Sequence, residues 1–349
     1  MPFRQTTVSG FPALALRNAE IEVVAVPALG MKLTNLRRHR GREWLWRSEQ
    51  IPLAPPVPGA SYVETADSGG WDECFPTVGP CPLPAFEADG APPASATGVM
   101  LPDHGELWSA GWRSAIYEHG GATTLTGTTS GTLLPYEFTR ELTLDPREPV
   151  VRFHYHVRNT GDRPFPWIWS SHPLFNIQPG TRLELPTVHQ VKLDAVHGRP
   201  DLAVNDTVSW PGAIGGRADA FVVPEPPALT DATPAATSDA PGVPGGWALK
   251  CFGDVGVSGR MALVDPRLGE RLELRVDPAE VPQVGVWINI RGWAPTGKRP
   301  YFNLALEPCI GAPDRLDRAI EAWRTAQTLA PGEEREWRHE VHLPESEEA

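Results

Sequence analysis

Apolar and polar residues alternate along much of the chain. Between residues 151 and 158 every odd position is apolar, ending at Val157, and every even position is polar, ending at Arg158. A period of two predicts an antiparallel strand with one face buried and the other in solvent. Similar segments occur at residues 13–17, 21–26, 32–37, 44–47, 113–118, 122–128, 136–144, 167–170, 182–185, 247–252, 260–264, 270–276, 283–290, 301–306 and 336–343.

Only residues 313–325 carry apolar side chains at helical spacing, which predicts one short helix near the C-terminus. Many strands without alternating helices exclude a Rossmann sheet and a TIM barrel. The pattern therefore predicts an all-β fold, a large antiparallel β-sandwich in a single domain over residues 1–349. Residues 224–246 are rich in proline and almost free of bulky apolar residues, so we predict a mobile loop insertion there.

Composition narrows the class of partner. The chain has 31 Lys plus Arg against 43 Asp plus Glu, a formal charge of −12, which argues against nucleic acid and anionic membrane surfaces. No apolar run approaches the ~20 residues of a membrane-spanning helix, and the first residues lack signal-peptide features. The four scattered cysteines form neither a disulfide framework nor a zinc spacing. We expect a cytoplasmic protein with free thiols.

Three titratable residues lie where sites commonly form. His104 ends a proline-rich loop, His172 lies where a strand meets a proline, and Glu307 ends an apolar strand. Loops above a rigid sheet are frequent places for binding and catalysis. Taken singly, each histidine is as well explained by a structural role, and Glu307 by an ion pair with an arginine.

A metal site is the weaker interpretation of the remaining histidines. His154 and His156 share the polar face of one predicted strand, but the sequence places no third ligand beside them. A solvated sheet face explains the pair better. We predict no metal and no cofactor.

Three short segments resemble the galactose mutarotase (aldose 1-epimerase) superfamily. They are His104-Gly105, Ser171-His172-Pro173-Leu174-Phe175 and Leu306-Glu307-Pro308, in the order and at the separations typical of that family. The resemblance extends over nearly the whole chain. It implies a large β-sandwich that binds a monosaccharide and opens its ring without a cofactor.

The resemblance also implies roles for three residues. Ring opening needs a base for the anomeric hydroxyl and an acid for the departing ring oxygen. By resemblance, Glu307 is the base, His172 is the acid, and His104 orients the sugar by hydrogen bonding.

The substrate-binding residues are less well defined by the motifs. Where the family commonly supplies an arginine, this chain has Trp71, Asp72 and Glu73, which we treat as candidates for stacking on the sugar and accepting its hydroxyls. A capped loop is the alternative. Trp287 and Asn289 occupy the place where the family lines its cleft, or form one face of a core strand.

Four functions remain open at this point. The leading one is an aldose 1-epimerase on a free monosaccharide. A hexose-6-phosphate mutarotase would need cations such as Arg291, Lys298 and Arg299. A non-catalytic carbohydrate-binding protein would not need the acid–base set. A glycoside hydrolase or lyase would pair Asp72 or Glu73 with Glu307.

Overall fold

The computed structural model describes residues 2–84, 96–216, 220–230 and 233–345. Within these residues, none of the helices is both long and apolar enough to cross a membrane. The same residues form 24 strands: β1 (Phe3–Val8), β2 (Phe11–Arg17), β3 (Ile21–Val26), β4 (Lys32–Arg38), β5 (Trp71–Cys74), β6 (Cys81–Pro84), β7 (Ala96–Leu101), β8 (Arg113–His119), β9 (Ala122–Ser130), β10 (Tyr136–Leu144), β11 (Val150–Asn159), β12 (Phe165–Trp167), β13 (Trp169–Phe175), β14 (Arg182–Glu184), β15 (Gln190–His197), β16 (Thr207–Ser209), β17 (Ala220–Val222), β18 (Trp247–Asp254), β19 (Arg260–Asp265), β20 (Glu270–Val276), β21 (Gln283–Ile290), β22 (Phe302–Ile310), β23 (Gln327–Leu329) and β24 (Glu334–His342).

Two large antiparallel sheets contain most of these strands. The first has the order β1-β2-β3-β4-β5-β13-β22-β21-β18-β15-β16, and the second has the order β17-β14-β19-β20-β24-β11-β10-β9-β8. Two further sheets, β12-β23 and β6-β7, have two strands each. The order mixes strands from distant parts of the chain, so each sheet depends on long-range pairing.

The apolar faces of the two sheets pack against each other. Trp71 of the first sheet stacks on Phe153 of the second at 5.0 Å between ring centroids, and Trp169 packs on Trp337 at 5.1 Å. These aromatic contacts bury large areas between the layers. The predicted antiparallel β-sandwich is confirmed.

The predicted alternation is clearest in the second sheet. Along β11 the side chains of Phe153, Tyr155 and Val157 are buried, while His154 and His156 lie on the outer face. There the two histidines contact glutamates of neighbouring strands. This outer face is partly exposed to solvent, as the alternation predicts.

The helical content is small and partly unexpected. Helix α2 (Leu316–Arg318) continues into a wider helical turn over Ala319–Trp323, within the predicted range. Helix α1 (Tyr62–Thr65) was not predicted, because it is one turn with no periodic apolar pattern. Three further single turns occur at Pro27–Leu29, Leu107–Ser109 and Gly212–Ile214. The predicted strand at residues 44–47 forms only isolated bridges, through Leu45 and Arg47.

The described part of the 224–246 segment contacts the folded sandwich. Ala236 is only 3% exposed, and its backbone exchanges two hydrogen bonds with the chain at Gly297 and Lys298. The mobility of this segment stays a prediction. All four cysteines are buried free thiols.

Candidate active site

A cavity of about 240 Å³ lies on the outer face of the first sheet. Its floor is formed by side chains of the neighbouring strands β13, β22, β21, β18 and β15. Its walls come from helix α1, the loop at His104, and the chain between residues 291 and 301. The cavity thus forms where loops cover one half of the larger sheet.

The local sequence of β13 directs His172 toward this cavity. Alternate residues of a strand face opposite sides, and Ser171 faces the second sheet, where its hydroxyl accepts a hydrogen bond from Trp71 Nε1 at 2.7 Å. His172 therefore faces the other way and lines the cavity with Leu174. On the neighbouring strand β22, Glu307 also lines the cavity.

The two oxygens of Glu307 have different surroundings. Lys250 Nζ donates to Oε2 at 2.5 Å, and the hydroxyl of Ser170 donates to the same oxygen at 3.2 Å. Oε1 is buried and accepts no hydrogen bond from any described group. It lies 3.8 Å from Nε2 of His172. One carboxylate oxygen is therefore held by the protein, and the other is left for a ligand.

His104 reaches the cavity from a sharply turned loop. Its own φ is +61°, and Gly105 follows at +70°, where a Cβ atom would lie 2.3 Å from the carbonyl oxygen of Phe75. Glycine is required at that close approach. Nδ1 of His104 hydrogen-bonds Asp103 at 2.8 Å, and the ring stacks on Tyr62 with centroids 4.0 Å apart. These contacts fix the imidazole in one orientation.

The two imidazoles lie side by side with different charges. Their centroids are 4.7 Å apart at nearly a right angle. Burial, together with the positive charges of His104 and Lys250, lowers the pKa of His172 well below its ordinary value. Burial opposes a charge on His104 too, but Asp103 outweighs it and raises the pKa of His104. Of the two rings, His104 therefore holds a positive charge more readily than His172, which differs from the acid role that the resemblance gives to His172.

A second layer of polar groups, which was not predicted from the sequence, surrounds the cavity. Lys250 contacts both Glu307 and Asp314, the latter at 3.3 Å. Burial raises the pKa of Asp67 to about 6. Within the described part of the chain, Asp67 Oδ1, Tyr301 Oη and both amide atoms of Asn303 are buried without a hydrogen-bond partner, and all three residues line the cavity. Such atoms are costly in an empty site and suit a ligand with several hydroxyl groups.

Of the predicted substrate-binding residues in β21, only Trp287 lines the cavity. Asn289 is fully buried, and its side chain holds the turn that follows the strand. Its Nδ2 donates to the carbonyl of Trp293 at 2.9 Å, and its Oδ1 accepts from the backbone N–H groups of Gly292 and Trp293. The prediction that Asn289 contacts the sugar directly is therefore replaced by a role in shaping the turn.

Trp71, Asp72 and Glu73 do not line the cavity in the structure, contrary to our prediction. The Trp71 ring lies between the sheets, stacked on Phe153. Asp72 is bound by Lys32 and by the Tyr62 hydroxyl, and Glu73 lies in the interior with Arg140. All three positions belong to the fully buried strand β5, so neither carboxylate is placed to pair with Glu307 across a substrate. The hydrolase interpretation therefore loses the two carboxylates predicted to pair with Glu307.

The candidate phosphate-binding cations also lie outside the cavity lining. Arg291 donates to the carbonyl of Pro227, and Arg299 donates to the carbonyl of Thr230 at 2.8 Å. Among the described residues that line the cavity, the only Lys or Arg is Lys250, which is engaged by two carboxylates. No cluster of His, Cys, Asp and Glu suited to a metal ion occurs in the described ranges.

Solved structures share this architecture over nearly their full length. The Slr1438 protein from Synechocystis sp. PCC 6803 superposes with a TM-score of 0.65 at 16% identity, covering 98% of this chain and 100% of that one. A galactose mutarotase related enzyme from Lactobacillus acidophilus gives 0.61 at 15% identity, with 96% and 98% covered. A galactose mutarotase-like protein from Lactobacillus casei ATCC 334 gives 0.59 at 16%, with 95% and 100% covered.

This chain has the galactose mutarotase-like fold. No protein-family profile and no curated protein sequence matches it. At these identities the likeness concerns the fold, and the chemistry has to be argued from the cavity itself.

Proposed function

We propose that the protein is an aldose 1-epimerase, which interconverts the α and β anomers of a free monosaccharide by opening and closing its ring. One observation carries the proposal. The free oxygen of Glu307 and the imidazole of His172 lie 3.8 Å apart in one cavity, beside a second imidazole whose pKa is raised by Asp103. This is the set of groups that reversible proton transfer at two oxygens of one sugar requires.

The size and lining of the cavity support a small, polyhydroxylated ligand. Drug-sized ligands occupy pockets of about 300–1,000 Å³, so 240 Å³ suits a smaller molecule such as a monosaccharide. Trp287, Trp293 and Tyr301 offer apolar ring surfaces, while Asp67 and Asn303 offer unpartnered polar atoms. That combination matches a pyranose, whose faces are apolar and whose rim carries hydroxyl groups.

The proposed reaction begins at Glu307. Its free oxygen Oε1 takes the proton of the anomeric hydroxyl, while Lys250 and Ser170 hold the other oxygen in place. As C1 becomes an aldehyde carbon, the bond between C1 and the ring oxygen breaks, and the ring oxygen takes up a proton. Rotation about the C1–C2 bond and the reverse transfers then close the ring on the other face.

Two imidazoles compete for the acid role at the ring oxygen. The motif resemblance assigns it to His172, whose pKa is lowered by burial. Charge favours His104, whose pKa is raised by Asp103. We retain the acid role for His172, which lies next to the base Glu307. We assign to His104, whose imidazole is protonated more readily, the role of orienting the sugar. Substitution distinguishes the two roles. Loss of the acid lowers kcat, because the acid acts in the transition state, whereas loss of an orienting residue also weakens binding of the sugar.

The test is an anomer-exchange measurement by NMR on a panel of neutral aldoses and their 6-phosphates. We expect exchange on at least one neutral aldose and weaker exchange on the 6-phosphates, because the cavity offers no free cation among its described residues. His172→Asn and His104→Asn are compared with His154→Ala on the outer sheet face. We expect kcat to fall about 10²–10⁴-fold for the acid, and KM to rise together with a loss of rate for the orienting residue.

Each alternative function has its own outcome. A sugar that binds in saturation-transfer NMR but whose anomers do not exchange faster would replace the enzyme by a carbohydrate-binding protein. Faster exchange on a hexose 6-phosphate that depends on Arg291 or Arg299 would favour the phosphate-specific alternative.

A further inference from the structure

The aromatic wall of the cavity comes from one loop. Trp293 and Tyr301, at the two ends of this wall, line the cavity and contact each other edge to face at 6.1 Å. Trp293 also meets Trp287 of the floor at 5.8 Å. We call residues 291–301 the wall loop.

The wall loop contains no strand or helix of its own. It begins at Arg291, a non-glycine residue with φ of +57°, where β21 ends. Asn289 holds the first turn from inside, as described above. Farther along, the loop closes on itself through the N–H of Tyr301, which donates to the carbonyl of Trp293 at 3.0 Å, and other parts of the chain pack against it.

The 224–246 segment provides contacts at that place. The N–H of Ala236 donates to the carbonyl of Lys298 at 2.7 Å, and the N–H of Gly297 donates to the carbonyl of Ala236 at 2.8 Å. The Ala236 methyl group is buried in a small apolar cluster with Ala294 and Tyr301. Ala236 therefore touches the wall loop through both its backbone and its side chain.

A second contact lies near the end of the same segment. Val243 N donates to the carbonyl of Arg291 at 3.0 Å. Gly242 passes so close to Gly292 that a Cβ atom on it would lie 2.3 Å from the carbonyl oxygen of Gly292. Arg291 in turn donates to the carbonyl of Pro227. The segment and the wall loop are thus joined at three places.

We infer that the stretch of this segment from Ala236 to Val243 holds the wall loop in its sugar-facing position, and that Ala236 is the positioning residue through which it does so. The segment itself contributes no described residue to the cavity lining. It determines the shape of the sugar site indirectly, by fixing where Trp293 and Tyr301 lie. The substrate part of this inference rests on the proposed function, whereas the support of the loop does not.

The chain offers a matched pair of variants. Ala236→Glu forces a charged side chain into the buried cluster, whereas Ala235→Glu adds the same group at an exposed neighbour. We expect amide hydrogen exchange in residues 291–301 to be faster in Ala236→Glu and unchanged in Ala235→Glu. An aromatic contact contributes the equivalent of about 2- to 10-fold in affinity, so KM should rise by about that factor with a smaller change in kcat.

The outcomes separate the two claims. Unchanged hydrogen exchange of the wall loop in Ala236→Glu overturns the supporting role, whatever the activity. Faster exchange with unchanged KM for every sugar overturns the influence on substrate binding. A wild-type protein that leaves all anomers unchanged refutes the proposed function, while the hydrogen-exchange result still decides the support. If Ala236→Glu lowers the melting temperature of the whole protein, the smaller change Ala236→Val is used in the same comparison.

Discussion

Two buried carboxylates in this protein have a cation beside them and different surroundings. Glu73, between the sheets, accepts hydrogen bonds from Arg140 at 3.1 Å and the Tyr155 hydroxyl at 2.9 Å on one oxygen, and from Trp169 Nε1 at 3.1 Å on the other. Glu307 is just as buried, but only one of its oxygens is bound.

The comparison separates structural carboxylates from candidate catalytic ones. Both side chains are fully buried, so burial does not distinguish them. What differs is the number of oxygens left for a ligand and the presence of a cavity next to them. Both oxygens of Glu73 are hydrogen-bonded within an interior network. By contrast, one oxygen of Glu307 has no hydrogen-bond partner, and the residue lines the cavity.

Replacing each of these two carboxylates by an amide should produce the largest effects, on the reaction rate for Glu307 and on stability for Glu73. Glu307→Gln keeps the shape but removes the base, so we expect anomer exchange to fall about 10²–10⁴-fold. Its effect on stability should be smaller, because Lys250 keeps its contact with Asp314 at 3.3 Å. Glu73→Gln should do the reverse. It leaves the buried Arg140 without a counter-charge and should cost about 3–5 kcal/mol of the free energy of unfolding.

The measurement combines denaturant unfolding with anomer exchange on both variants at pH 8. Burial raises the pKa of Glu73 to about 7, so at pH 8 that carboxyl group is mostly ionised. Equal losses of rate in both variants, or a stability loss confined to Glu307→Gln, would contradict the distinction drawn between them.

Burial on one face or on both faces explains which strands could be predicted. Strand β10 and strand β11 are buried on one face only, so their sequences alternate and were recognised. Strand β13 is buried on both faces, by the second sheet and by the cavity loops, and its Ser-Ser-His-Pro centre gives no alternation. Only its first residues, Trp169 and Ser170, were predicted as strand. Alternation therefore predicts the sandwich better than it predicts the strands that carry the site.

The candidate site, too, was predicted only in part. His104, His172 and Glu307 were found through their motifs, and the structure brings them together in one cavity. Lys250 was missed because its partner Glu307 lies 57 positions away, on a strand two places along the sheet. The chain has only four lysines, and one inside the apolar segment 247–252 was the available signal. Short motifs found the candidate acid–base residues, whereas long-range pairing determines their partners.

The interior also contains a buried histidine, His339, which can be compared with the histidines of the cavity. His339 lies among aromatic rings, 4.5 Å from Phe153 and 5.7 Å from Trp71, and burial lowers its pKa to about 3. Below pH 6.5 the unfolded chain takes up a proton that the folded protein refuses until about pH 3. This residue therefore makes the fold less stable as pH falls, by about 1.4 kcal/mol for each pH unit in that window.

His339→Phe should remove this dependence. At pH 4.5 the variant should gain about 2–3 kcal/mol relative to wild type, compared with its difference at pH 7.5. Urea unfolding at the two pH values measures the gain, and His119→Phe on the exposed strand β8 is the control. A gain of the same size in the control, or none in His339→Phe, would show that acid sensitivity arises elsewhere.

The smallest effect concerns the cation beside the candidate base. Lys250 is buried with Glu307 and Asp314, whose charges outweigh burial and raise its pKa further. In Lys250→Met the carboxylate loses its ionic partner. Because a neighbouring positive charge favours the charged form of a carboxyl group, the low-pH side of the anomer-exchange profile should move upward when this lysine is removed. At high pH the rate should change less than it does in Glu307→Gln.

Lys32 provides the matched control, since it is a second buried lysine paired with a carboxylate, Asp72, that does not line the cavity. Lys32→Met should lower the stability of the fold, because Asp72 is left buried without a counter-charge, but should leave the low-pH side of the rate profile in place. The two lysines thus differ in the same way as Glu73 and Glu307: one pairs with a carboxylate outside the cavity, and the other with a carboxylate that lines it. If both substitutions move the profile equally, the response reflects general positive charge in the sheet, and contact with Glu307 is not what sets the pH dependence. If only Lys250→Met moves it, the ion pair at one oxygen of Glu307 governs when the other oxygen can accept a proton.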